Sequence, residues 1–124
     1  MDESCDKCPG MTSIMSDFKS KFLTKKIESS EEMGRSTWYF LHGIAKYYSE
    51  NASEAEQESA LALINAIVVL YPCKKCAMHF KETILCFPPM LKTKKDFILW
   101  LCKCHNIVNA RLYKSEFNCN DLII

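Results

Sequence analysis

Cys73-Lys74-Lys75-Cys76 is the segment of this sequence best equipped for chemistry. It follows Tyr71-Pro72, where a helix should open, and on a helix two side chains three residues apart stand about 60° from each other, within reach of a disulfide. The helix N-terminus and the two lysines both favour thiolate, the nucleophile of disulfide exchange, over thiol. Cys5-Asp6-Lys7-Cys8 repeats the spacing near the chain start. Cys102 and Cys119 have sixteen residues between them, a span that would let the chain after the last long helix fold back and be stapled to it. Cys86 and Cys104 are expected to pack as small apolar groups. Two C-x-x-C pairs also suit zinc, with Cys5, Cys8, Cys73 and Cys76 as a tetrahedral set, the metal site of a nonenzymatic helical adaptor. The cysteines alone leave zinc and redox chemistry open. Thioredoxin-like chemistry fits less well, because its C-x-x-C belongs to a βαβ pattern that is missing here.

A second set of residues bears on that choice. His105, Asn106 and Asn109 share an arc of roughly 100° with Cys102 and Tyr113 on one helix. Part of that arc should be buried, and a buried amide without a partner costs about 1 to 3 kcal/mol, so the stripe demands a hydrogen-bonding counterpart. Arg35, Trp38 and His42 likewise fall on one stripe of an earlier helix. Singly, such a histidine or tryptophan is ordinarily a core residue. Together, a cation, an aromatic ring and an imidazole suit a large planar ligand carrying phosphates.

The elements that must hold these residues are helices. The chain has 124 residues, 48% hydrophobic and 25% charged, which fits one globular domain better than two. Sixteen basic and fifteen acidic residues leave a formal charge of +1, so no global electrostatic grip on nucleic acid is indicated. No apolar run approaches the roughly 20 residues that span a bilayer. Trp38, Leu41, His42, Ala45 and Tyr48 follow the helical period and predict a first helix over about 35–49. Ser53 with Glu56 makes a capping-box start for a second, whose stripe of Leu61, Ile64, Val68 and Tyr71 runs to Pro72. A third is predicted over about 73–86, ended by Pro88 and Pro89. Thr93 and Asp96 open a fourth, carrying Phe97, Leu101, Val108 and Leu112 to about residue 113. The tail is expected to add one short turn, and no segment alternates as a strand. The expected fold is all-α: a four-helix bundle with a short fifth C-terminal helix. Residues 1–33 read as a Ser/Lys/Glu-rich arm, in which Met11, Met15, Phe18 and Phe22 make a weak amphipathic stripe, and 34–124 as the domain proper.

Four separated motifs carry a family resemblance. Gly34-Arg35-x-x-Trp38-x-x-x-His42, then Tyr71-Pro72-Cys73-x-x-Cys76, then His105-Asn106-x-Val108-Asn109-x-x-Leu112-x-Lys114, and finally Phe117-x-Cys119 resemble the Erv/ALR flavin-linked sulfhydryl oxidases in order and spacing. The resemblance implies a helical bundle that binds FAD between its helices, usually as a homodimer. Such an enzyme oxidises dithiol proteins, or an upstream disulfide carrier, and passes the electrons to oxygen, giving hydrogen peroxide, or to cytochrome c. It suggests Cys76 as the cysteine beside the flavin ring and Cys73 as the one that exchanges with incoming dithiols. Arg35, Trp38, His42, Tyr48, His105, Asn106, Val108, Asn109 and Lys114 would line the cofactor. Cys102 with Cys119 matches the family's structural disulfide, and Cys5 with Cys8 resembles the shuttle pair that many members carry outside the core. Ser49 and Ser115 stand where the family often has proline, and Cys104 where it commonly holds an apolar residue.

The start Met1-Asp2-Glu3-Ser4-Cys5 lacks the basic and apolar regions of a secretory signal, and the stretch before Gly34 has no arginine, unlike a mitochondrial presequence. With no secretory signal, the resemblance points to the mitochondrial intermembrane space or a related organelle, with a cytosolic or viral setting as the alternative.

Overall fold

The structure, a computed structural model, describes residues 29–123. Cys5, Cys8 and the Met11 to Phe22 stripe lie outside the described residues. Four α-helices follow in order: α1 (Ser30–Lys46), α2 (Glu54–Leu70), α3 (Lys74–Cys86) and α4 (Lys94–Arg111), then a 3₁₀ turn over Cys119–Leu122. No strand occurs among the described residues, and a single isolated bridge pairs Asn51 with Thr93. Gly34–Ile124 makes up one compact unit, to which all the site residues described below belong.

Local chemistry sets most helix ends. Ser53 caps α2 by accepting from the Glu56 N–H, while the Glu56 carboxylate accepts in return from the Ser53 N–H. Thr93 caps α4 through the Asp96 N–H at 3.1 Å. Cys73 caps α3, its sulfur accepting from the Cys76 N–H at 3.3 Å. The first helix starts five residues before the expected point because the Ser29 hydroxyl accepts from the Glu32 N–H at 3.1 Å and Glu31 and Glu32 favour the positive helix end. Its end is also earlier: the Tyr48 N–H turns back to the Ala45 carbonyl, a tightened last turn that stops the helix at Lys46.

The fourth helix stops at Arg111 rather than near residue 113. Tyr113 takes φ 58°, the left-handed region, so that its N–H meets the Ala110 carbonyl and the Lys114 N–H meets the Asn109 carbonyl at 2.8 Å. This is a Schellman closure with tyrosine where glycine ordinarily stands.

All four helices feed one core. Leu41 and Ala45 of α1, Ala60 and Ile64 of α2, and Phe97, Trp100, Leu101 and Cys104 of α4 are buried together, with Phe80 and Ile84 of α3 packed against them. Burying each large apolar side chain contributes about 1.5 to 3 kcal/mol. The connecting segments are pinned in the same place: the Ala52 N–H donates to the Lys92 carbonyl at 2.9 Å, and the Trp100 indole N–H to the Phe87 carbonyl at 2.8 Å. Cys104 packs as expected of a small apolar group. Cys86 does not: it ends α3 on the exposed side and is a free thiol, because the helical stripe that reaches the core runs through Phe80, Thr83 and Ile84.

Candidate active site

Cys73 and Cys76 are joined as a disulfide across the first turn of α3, with 5.3 Å between their α-carbons. Cys73 is partly buried and Cys76 exposed. The pair sits where the unpaired amides of a helix start point outward, and one of those amides already reaches the Cys73 sulfur. Lys74 reaches back to the Val69 carbonyl at 3.5 Å. Because the two sulfurs are bonded to each other, they are not thiolate ligands of the zinc set that the sequence left open.

One helical turn beyond Cys76, Phe80 meets Trp38 edge-on, with 6.2 Å between ring centroids. Trp38 in turn lies flat on His105, at 4.2 Å and 3° between planes. His42, one turn along α1 from Trp38, completes the cluster: its Nε2 and the Nδ1 of His105 are 2.9 Å apart. One of the two nitrogens must carry the proton for this bond and the other must be bare, so the two rings cannot both be protonated while it lasts. Burial lowers the affinity of His42 for a proton. His105 is pushed down to about 4 by burial first, then by the charges of His42 and Lys114. Phe117 covers His105 from the tail, at 5.0 Å.

Thus α1, α3, α4 and the segment after α4 converge on one partly buried set of rings. Of the residues expected to form a site, Trp38, His42, His105, Asn106 and Asn109 are brought together. Asn109 is buried and its Nδ2 donates to the Asn106 Oδ1 at 3.4 Å. Lys114 lies near enough for its charge to act on His105. Arg35 is exposed on α1 one turn before Trp38, and Val108 is partly buried on α4. Tyr48 is placed elsewhere, in the core, with its hydroxyl donating to the Leu91 carbonyl at 2.8 Å and its ring edge-on to Phe97. Phe80 and the packing role of Phe117 were not anticipated. The i, i+4 spacing of Cys76 and Phe80 is the signal that would have found the first.

Cys102 and Cys119 form the second disulfide, which ties the 3₁₀ turn to α4 across 5.8 Å between α-carbons. The buried Cys104 thiol is raised to about 12, by burial outweighing the opposing charge of Lys103, and so stays protonated and inert. A groove of about 690 Å³ lies apart from all these residues, between the start of α2 and the Pro89 to Lys92 segment, and none of the expected site residues lines it.

One imidazole flat on an indole and a second tilted beside it, near a cation and a helix-start disulfide, make a cluster suited to a planar electron carrier. Comparison with known proteins agrees. The model of the Erv1 / Alr family matches residues 35–124. A protein of Oryza sativa subsp. japonica named FAD-linked sulfhydryl oxidase ERV1 is 40% identical over 106 residues, 86% of this chain and 52% of the relative. The mitochondrial FAD-linked sulfhydryl oxidase ERV1 of Saccharomyces cerevisiae is 32% identical over 90 residues, 73% of this chain and 48% of the relative. The chain thus spans about half the length of these relatives. Among solved structures, the FAD binding domain of Erv1 from Saccharomyces cerevisiae superposes with a TM-score of 0.75 at 30% identity, over 77% of this chain and 90% of that one.

Proposed function

The chain belongs to the Erv1 / Alr family, and from that premise we propose that it is an FAD-linked sulfhydryl oxidase, which makes disulfides in dithiol substrates and passes the electrons to oxygen, with hydrogen peroxide as product, or to a cytochrome. The observation that carries this reading is the Cys73–Cys76 disulfide at the start of α3, one turn from the ring that abuts the Trp38–His105 stack. Bound flavin and oxygen-dependent dithiol oxidation by the purified protein are its test.

The ring cluster fits the cofactor. Trp38, His42 and His105 offer aromatic rings, the two imidazoles disfavoured from charging by burial, and Arg35 and Lys114 supply positive charge for phosphates on the same two helices or just beyond. When bound, FAD accepts an electron pair from a dithiol and delivers it to the final acceptor. The chain's own share is thiol exchange. A substrate thiolate attacks one sulfur of the Cys73–Cys76 bond, forming a mixed disulfide and releasing the other sulfur as thiolate. The second substrate thiolate then breaks the mixed bond, so the substrate leaves oxidised and Cys73 and Cys76 hold the electron pair. We assign Cys73 to exchange and Cys76 to the cofactor side. The Cys76 N–H that reaches the Cys73 sulfur would stabilise negative charge there at each turnover.

In this reading residues 34–124 are the oxidase domain and 1–33 an arm whose Cys5 and Cys8 carry electrons from bulky protein substrates to Cys73. A homodimer is part of the proposal, supported by the apolar side chains that α1 and α2 leave exposed, Tyr39 and Phe40 on one and Val69 and Leu70 on the other. No helix among the described residues is long and apolar enough to cross a membrane. The proposed location is the mitochondrial intermembrane space, supported by the name of the yeast relative.

A further inference from the structure

Asn106 stands out because its amide is fully committed. An asparagine side chain has two N–H donors and two acceptor positions. Its Nδ2 donates to the Phe117 carbonyl at 2.9 Å, and its Oδ1 accepts from the Phe117 N–H at 2.8 Å. This is the pairing that one strand residue makes with another, here between a side chain and a backbone eleven residues away. The remaining donor direction is taken by the disulfide, with Cys119 Sγ at 3.5 Å and Cys102 Sγ at 4.0 Å. The remaining acceptor direction is taken by Asn109 Nδ2 at 3.4 Å. Nothing on this amide is left over for a ligand.

What the amide holds is more telling than its contacts. Phe117, fixed at both backbone polar groups, puts its ring edge-on to His105 at 5.0 Å. The imidazole so covered is the one stacked on Trp38 and bonded to His42. The segment between α4 and the 3₁₀ turn has no other regular structure to hold it, since Lys114 is the last residue tied to the helix end and Cys119 the next covalent anchor.

We propose that Asn106 is a positioning residue rather than a cofactor ligand: it clamps Phe117 against His105 and so fixes the imidazole on Trp38. The inference rests on reading this cluster as the cofactor site. It differs from the sequence expectation, in which Asn106 itself lines the cofactor.

The test is a double-variant cycle on the purified full chain, measured before and after addition of FAD. Before FAD, the His105 imidazole is titrated by NMR. Loss of the clamp in Asn106→Ala should uncover the ring and move its titration up by about one pH unit toward that of an ordinary histidine. An unmoved titration overturns the clamp whether or not FAD binds, so failure of the oxidase reading and failure of this one are told apart. With FAD, Asn106→Ala should weaken binding about tenfold in the parent chain and less than twofold in the Phe117→Ala background, since its effect passes through that ring. The same tenfold loss in both backgrounds makes Asn106 a direct ligand and contradicts the proposal. Asn106→Asp keeps the acceptor for the Phe117 N–H but sets a carboxylate against the Phe117 carbonyl. It should show the same background dependence, and it serves the cycle if the alanine variant does not fold.

Discussion

The imidazole of His105 lies flat on the indole of Trp38, 4.2 Å between centroids and 3° between planes, and meets His42 edge to edge through a 2.9 Å nitrogen pair. A histidine so placed is costly to charge. In solution the imidazole takes up a proton near pH 6.5, whereas folded His105 does so at about 4. Between those values the unfolded chain binds a proton that the folded one refuses, so stability falls as the pH drops through 6.5 and the fall levels off near 4. The full shift corresponds to about 3 kcal/mol, and solvent screening of the half-buried ring reduces this to on the order of 2 kcal/mol. Thermal melts of the cofactor-free chain from pH 7 to 5 should show this loss, and His105→Gln should flatten the slope. Parallel slopes in the two proteins would contradict it.

The proposed roles of Cys73 and Cys76 are checked by a spectrum. With Cys76 on the cofactor side, FAD-loaded Cys73→Ser should show the long-wavelength absorption of a thiolate against flavin, and Cys76→Ser should lack it. The reverse pattern exchanges their roles.

The Cys102–Cys119 bond closes a loop whose other restraints are the Asn106 clamp and the end of α4. In the chain-entropy account a loop of this length contributes roughly 3 kcal/mol. Replacing both cysteines with serine should lower the melting temperature and weaken FAD binding, while the variant loaded with excess FAD still turns over. Normal stability and cofactor binding with complete loss of turnover would make the pair a redox participant instead.

Tyr113 holds a left-handed backbone with its side chain 97% exposed. A non-glycine residue there costs about 1 to 2 kcal/mol and the exposed ring offers little burial in return. Tyr113→Gly should therefore stabilise the fold by about 1 kcal/mol, less the extra freedom glycine has when unfolded, and raise the melting temperature by a few degrees. A lower melting temperature would mean that the tyrosine ring makes a stabilising contact.

The helix starts at Ser53 and Thr93 could be read from sequence because a cap and its partner are three residues apart. Ser29 escaped because the apolar stripe that announces α1 begins only at Trp38, two turns on. Tyr113 hides the end of α4, since the left-handed turn there carries no glycine to mark it. At the site, Trp38, His42 and His105 were legible as stripes on single helices, but their mutual stacking depends on how α1 and α4 pack. The Asn106 clamp was least legible of all, because its partner is the backbone of Phe117 and a backbone amide leaves no trace in residue type. Cys86 was misjudged for a related reason: its place on the outer side of α3 follows from which neighbours turn inward.

The most direct measurement is the visible absorption spectrum of the purified protein, taken together with its consumption of oxygen on addition of a small dithiol. The account predicts a yellow protein with one flavin per chain, oxygen uptake matched by hydrogen peroxide, and loss of that uptake in Cys73→Ser and Cys76→Ser. A colourless protein that fails to take up added FAD and leaves the dithiol reduced would contradict it.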